Sequence, residues 1–291
     1  MRLLTYLLLV LTAASATAVD VPWPARTLLP SLPRWSTPDP LAEQAPWDSP
    51  YAYCAANPIA NIDPLGLEVK GASQDDAFNV VHNLRQLFIG DEFNSFRDLI
   101  RQSGTNGNGK SLAKISDAEL TTAFNGISLS EDQQALVDIT VSTINDNNTF
   151  TIQFISESQH LCNKGIDAFS PELSKLGIDI ERTIDYYGYF PNFVIENIGG
   201  LGLTSATDNG AFIAILSYAN HTNGLCITVA HELLGHARSL SAGVGKDQQH
   251  EQVIRLENLV YRVLGINYIN NGSDHADKSI VNNPSKLPDY R

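Results

Sequence analysis

Cysteine is scarce: Cys54, Cys162 and Cys226 are the only three in 291 residues. An odd count at wide spacing excludes a disulfide framework and a zinc-knuckle arrangement, and allows one bridge at most. Positive charge is scarce too, with 19 Lys and Arg against 32 Asp and Glu and a formal net charge of −13. Such a chain is repelled by phosphate backbones, which argues against a nucleic-acid partner. No stretch approaches the roughly 20 apolar residues of a transmembrane helix, and there is no internal repeat or low-complexity run. What remains is 43% hydrophobic content, ordinary for a globular protein.

The first eighteen residues have the marks of a leader. Arg2 gives a positive start, Leu3 to Leu11 an apolar run, and Ala16-Thr17-Ala18 a small-x-small cleavage site before Val19. A signal peptide over 1–18 predicts an exported protein, secreted or periplasmic, with no membrane span after cleavage. Residues 19–67 are dense in proline and carry Trp23, Trp35 and Trp47. From residue 68 onward the composition is that of a packed domain. Ser116 and Ser130, each followed three residues later by Glu119 or Gln133, read as helix starts. Residues 149–156 and 211–218 read as strands. Residues 225–240 read as a strand-to-helix or all-helical segment, and 250–265 as a helix stopped by Gly265.

Within 225–240 lies His231-Glu232-Leu233-Leu234-Gly235-His236. Two histidines with a glutamate after the first is metal-hydrolase chemistry, in which imidazoles grip a cation and the carboxylate takes a proton from water. The familiar spacing is four residues, and here it is five. On a regular α-helix, side chains four apart differ by roughly 40° and those five apart by roughly 140°. His231 and His236 can therefore share one ion only if the helix carries a π-bulge. Gly235, inside the interval, is the residue best able to accept an altered backbone.

A catalytic zinc usually has three protein ligands. The helix after residue 249 offers His250, Glu257 and Glu251. Helix geometry puts His250 and Glu257 on the side of the apolar stripe through Val253, Val260 and Leu264, with Glu251 roughly 160° from Val253. Either His250 or Glu257 supplies the third ligand and the other supports it, with Glu251 open if the helix begins after it. Glu257 has a plainer alternative, a buried ion pair with Arg238 or Arg262. His275, in the polar turn Asn271-Gly272-Ser273-Asp274-His275, reads as a solvated loop histidine, with hydrogen bonding to a tetrahedral intermediate as its catalytic alternative. His82, His160 and His221 carry no spacing signal.

Two resemblances add to this reading. Arg34-Trp35, Thr37-Pro38-Asp39-Pro40-Leu41, Ser49-Pro50-Tyr51-Ala52-Tyr53-Cys54, Asn57-Pro58-Ile59 and Asp63-Pro64-Leu65-Gly66 resemble the tail of the RHS-repeat-associated core of bacterial YD-repeat proteins. In that family the segment precedes a variable C-terminal toxin or effector domain, which an immunity protein can accompany. The repeats that should stand before the core are missing from this sequence. The six residues from His231 to His236 resemble the HELLGH signature of the dipeptidyl-peptidase III family of zinc peptidases, in which both histidines bind zinc and the glutamate activates water. In that family's second motif a metal-binding glutamate stands where this chain has Val253. The run Arg255-Leu256-Glu257-Asn258 resembles one in other RHS-linked metallopeptidase-like domains, with a metal-type residue seven before its glutamate. That likeness is what favours His250.

The expectation is an α+β, zincin-like domain over 68–291, with a small mixed or antiparallel sheet and a π-bulged active-site helix. The zincin plan implies that residues 211–218 border the cleft and pair with an extended substrate. The implied function is an exported, effector-type zinc metallopeptidase acting on a peptide or protein, with Glu232 as base. The alternative is a non-catalytic exported interaction domain with a structural metal or none.

Overall fold

The computed structural model describes residues 68–291 apart from 105–106, 108, 188–194, 196–199, 222, 274, 276–278 and 291, and before residue 68 only three short strands. The chain divides into two compact units, Met1–Gly66 and Leu67–Arg291. In the first, β1 (Val21–Pro22), β2 (Thr27–Leu29) and β3 (Arg34–Trp35) form an antiparallel sheet in that order. The leader and nearly all of the RHS-like stretch lie outside the described residues.

The second unit is α+β. Its sheet has four strands in the order β4 (Val69–Gly71), β5 (Thr149–Ile155), β7 (Gly210–Leu216), β6 (Gly202–Thr207). β4, β5 and β7 run parallel and β6 is antiparallel to β7, so the sheet is mixed. Between β4 and β5 come α1 (Gln74–Gln86), α2 (Asn94–Leu99), α3 (Asp117–Ala123) and α4 (Glu131–Ile144). Ser73, Ser116 and Ser130 each close a capping box on α1, α3 and α4, satisfying amides at those helix starts. Between β5 and β6 come α5 (Asn163–Lys175) and α6 (Ile180–Tyr187).

Residues 211–216 do not form a sheet edge open to a substrate strand. β7 is an inner strand buried on both faces: Ala211, Ile213 and Ile215 enter the main core, while Phe212, Ala214 and Leu216 pack with Phe169 and Leu173 of α5. An almost continuous apolar run is what a doubly covered strand needs. The edge is β6, whose Gly-Leu-Thr-Ser-Ala-Thr sequence has too few apolar residues to advertise a strand.

After β7 the chain turns into one helical run over 225–241. It is α-helical as α7 (Leu225–Val229), π-helical over Ala230–Ala237, and α-helical again as α8 (Arg238–Ser241). Leu233, Leu234 and Ala237 are fully buried in the main core. α9 (Lys246–Val263) packs across it and starts earlier than the apolar pattern indicates, after Gly245. A Cβ on Gly235 would stand 3.3 Å from both Val253 methyls and 3.4 Å from Leu256 Cδ2. Gly235 is thus a contact point for α9, and its φ lies outside the left-handed region. Cys162 and Cys226 are free thiols, and no described helix is long and apolar enough to cross a membrane.

Candidate metal centre

The π-helix settles the spacing problem. With i→i+5 bonding, residues five apart become neighbours on one face, and the His231 and His236 rings lie 5.1 Å apart. The third ring is His275, 5.3 Å from His231 and 5.5 Å from His236. Each of the three offers a ring nitrogen, and these atoms lie within 4.8 Å of one another, close enough to hold one metal ion.

His250 does not join this group. Its ring lies 4.7 Å from that of His275, tilted by 55°, and its Nδ1 is 3.0 Å from His275 Nδ1. Its Nε2 is 2.7 Å from the Ser279 carbonyl oxygen, which can only accept, so Nε2 carries the proton. In neutral His250 the Nδ1 then accepts, His275 Nδ1–H donates to it, and the lone pair of His275 is left on Nε2. Glu257 does the equivalent for His231: its Oε2 accepts from His231 Nδ1 at 3.1 Å, leaving His231 Nε2 as the lone-pair nitrogen. Both α9 residues therefore orient one of the clustered histidines from behind, an arrangement that metal-bound histidines commonly have. Glu251 pairs with Arg255. Arg238 pairs with Asp146 and Arg262 with Asp132, so neither forms the ion pair considered for Glu257.

Charge around the rings is uneven. Burial works against a proton on His231, but the Glu257 hydrogen bond and the carboxylates of Glu232 and Glu257 outweigh it and raise its pKa. The same negative charge favours a divalent cation. Burial and the three neighbouring histidines hold His236 well below the usual imidazole range, so it keeps its lone pair. Burial alone would raise Glu257, but hydrogen bonds from His231, Tyr261 and Asn270 prevail and bring it to about 2.

Glu232 is 5% exposed, and its Oε2 accepts a 2.6 Å hydrogen bond from the Thr204 hydroxyl on β6. Burial pushes its carboxyl up, with His231 and Thr204 opposing. Gly202, two residues along the same face of β6, leaves room for it: a Cβ there would stand 2.7 Å from Glu232 Cγ. The three histidines, Glu232 and Glu257 open into one cleft of about 470 Å³, lined also by residues 200–204 and by His221, Asn223, Gly224, Ile227 and Thr228.

His275 had no readable signal as a ligand. It sits in a loop with no periodic spacing to the helix, and its placement comes from buried polar clips. Asn258, 1% exposed, donates to the Asn270 carbonyl and accepts from the Asn270 amide, both at 2.8 Å. Val281 N donates to Asn271 O at 2.9 Å, closing the loop that carries His275.

No family model matches the chain, and no curated protein or solved structure is similar to it.

Proposed function

We propose that residues 68–291 form a zinc-dependent metallopeptidase, which the leader and the RHS-like tail would make an exported effector with a peptide or protein substrate. The observation that carries this reading is the joint placement of three imidazole nitrogens within 4.8 Å and a buried carboxylate in one cleft. A set of three imidazole nitrogens suits zinc. A structural zinc is closed by four protein ligands, whereas three ligands facing a cleft leave a position for water. Nothing favours the non-catalytic reading to the same degree.

Zinc in this setting would polarise a bound water and the scissile carbonyl. Glu232 would accept the water proton, its burial giving the carboxyl the basicity to hold it. Thr204 fixes the carboxylate by its 2.6 Å bond, and Glu232 then returns the proton to the leaving amine. Leu216 N donates to Leu201 O, so by alternation Gly202, Thr204 and Ala206 turn their backbone groups away from β7. No described strand covers that edge, which suits pairing with an extended peptide.

The test joins metal and turnover. Purified protein should hold one equivalent of zinc, lost in His231→Ala, His236→Ala and His275→Ala. Glu232→Gln should keep the zinc and lose at least about a hundredfold in peptide cleavage. Undiminished cleavage by that variant would overturn the mechanism.

A further inference from the structure

We infer that Asn223 is a substrate-binding residue whose carboxamide reads the peptide backbone in the cleft that β6 also lines. This rests on the peptidase reading above and specifies how that site holds its substrate. The inference starts from a chain of hydrogen bonds. Asn223 Nδ2 is 3.0 Å from the Tyr261 hydroxyl oxygen, Tyr261 donates to Glu257, and Glu257 accepts from His231. The Tyr261 proton is committed to a carboxylate, so its oxygen can only accept from Asn223. The amide orientation follows: an N–H faces Tyr261, and Oδ1 with the second N–H remains for another partner.

Tyr261 is 1% exposed, whereas Asn223 is exposed and lines the cleft. An exposed side chain anchored to a buried hydroxyl loses little further freedom when it binds, which is the arrangement a recognition group needs. Its backbone is also pinned from both sides. His221 Nε2 donates to the Leu216 carbonyl at the end of β7, and its Nδ1 accepts from the Thr228 hydroxyl on α7, both at 2.8 Å. Gly224 has φ 99°, a value that L side chains rarely adopt, and turns the chain directly into α7. His221, with both nitrogens engaged, thus builds the loop, and Asn223 is what the loop presents.

A carboxamide offers one donor direction and one acceptor, the same pair a peptide unit offers. It carries no charge, so it selects a peptide group without selecting a side chain. A peptide lying along Gly202 and Thr204 would then have a carboxamide partner in the same cleft besides the strand edge. Tyr261 is a positioning residue, acting through Asn223 on one side and Glu257 on the other.

Two probes separate these roles in the full, zinc-loaded protein. Acetohydroxamate reads the metal alone, whereas an N-acyl dipeptide hydroxamate reads the metal and the cleft walls. Asn223→Ala should leave acetohydroxamate affinity and zinc content unchanged and weaken the dipeptide hydroxamate by about ten-fold, the loss expected for one hydrogen bond. Tyr261→Phe should weaken the dipeptide hydroxamate at least as much, with a smaller loss of acetohydroxamate affinity because Tyr261 also donates to Glu257 behind His231, and adding Asn223→Ala to it should cost little more. Asn223→Asp, which keeps the shape but has no N–H for Tyr261, should not restore binding. Equal weakening of both probes in Asn223→Ala, or of neither, overturns the inference while leaving the metal site standing. Failure of wild-type protein to bind zinc or acetohydroxamate overturns both.

Discussion

His250 Nδ1 lies 3.0 Å from His275 Nδ1, and the proton between them belongs to His275 because His250 spends its own on the Ser279 carbonyl. A single buried ring therefore sets the tautomer of another that sits on a loop. His250→Ala should leave three ligands in place yet weaken metal binding by about 10–100-fold, as loss of an orienting partner does. His275→Ala should cost more than that. Competition against a calibrated chelator ranks the two, and an unchanged affinity in His250→Ala would contradict the tautomer assignment.

Gly202→Ala should reduce turnover without touching the metal. The added Cβ would sit 2.7 Å from Glu232 Cγ and 2.8 Å from Oε1, so the carboxylate must move off the Thr204 hydroxyl. A misplaced base by about 1 Å costs on the order of a hundredfold in rate. Zinc content together with kcat decides it: zinc should remain at the wild-type level while kcat falls.

The ion pair between α4 and α9 gives a pH test of stability. Arg262 donates to both Asp132 oxygens at 2.8 Å, and this hydrogen bonding lowers the Asp132 pKa against a desolvation that raises it. A lowered folded pKa stabilises above the unfolded value, about 3.9, and the contribution is lost as pH falls through the folded one. Both side chains are about a third exposed, so Asp132→Asn should cost only about 0.5–1 kcal/mol near neutral pH. Urea titrations of both proteins should differ at pH 7 and converge on acidification. A gap that stays constant through the whole acid titration would mean the residue acts through packing.

The π-helix was legible in His231 and His236 because metal chemistry demands convergence and a regular helix forbids it at that spacing. His250 and Glu257 were legible as buried polar residues on the correct face of α9, yet periodicity says nothing of which atoms they meet. Both turned out to lie behind the clustered rings, Glu257 on His231 and His250 on His275, and Glu251 faces Arg255. His275 was hidden because a loop histidine is placed by long-range clips such as Asn258 to Asn270, which leave no local pattern. The edge strand was hidden for a related reason: β6 uses Gly202 and Thr204 to serve Glu232, at the expense of the apolar alternation that marks a strand.

Tyr290 supplies a last test, since it supports the π-helix from the far end of the chain. Its hydroxyl donates to the Leu234 carbonyl at 2.9 Å, inside the widened turn between the two histidines. Burial raises its pKa, so it remains a donor across the physiological range. Tyr290→Phe keeps the ring and leaves a buried carbonyl without this donor, a change that costs about 1–3 kcal/mol. If the bond holds the π geometry, the loss should be larger in zinc-loaded than in chelator-treated protein, because metal binding requires the widened turn while the stripped helix can relax. Equal losses under both conditions, measured by urea unfolding, would reduce Tyr290 to an ordinary core residue.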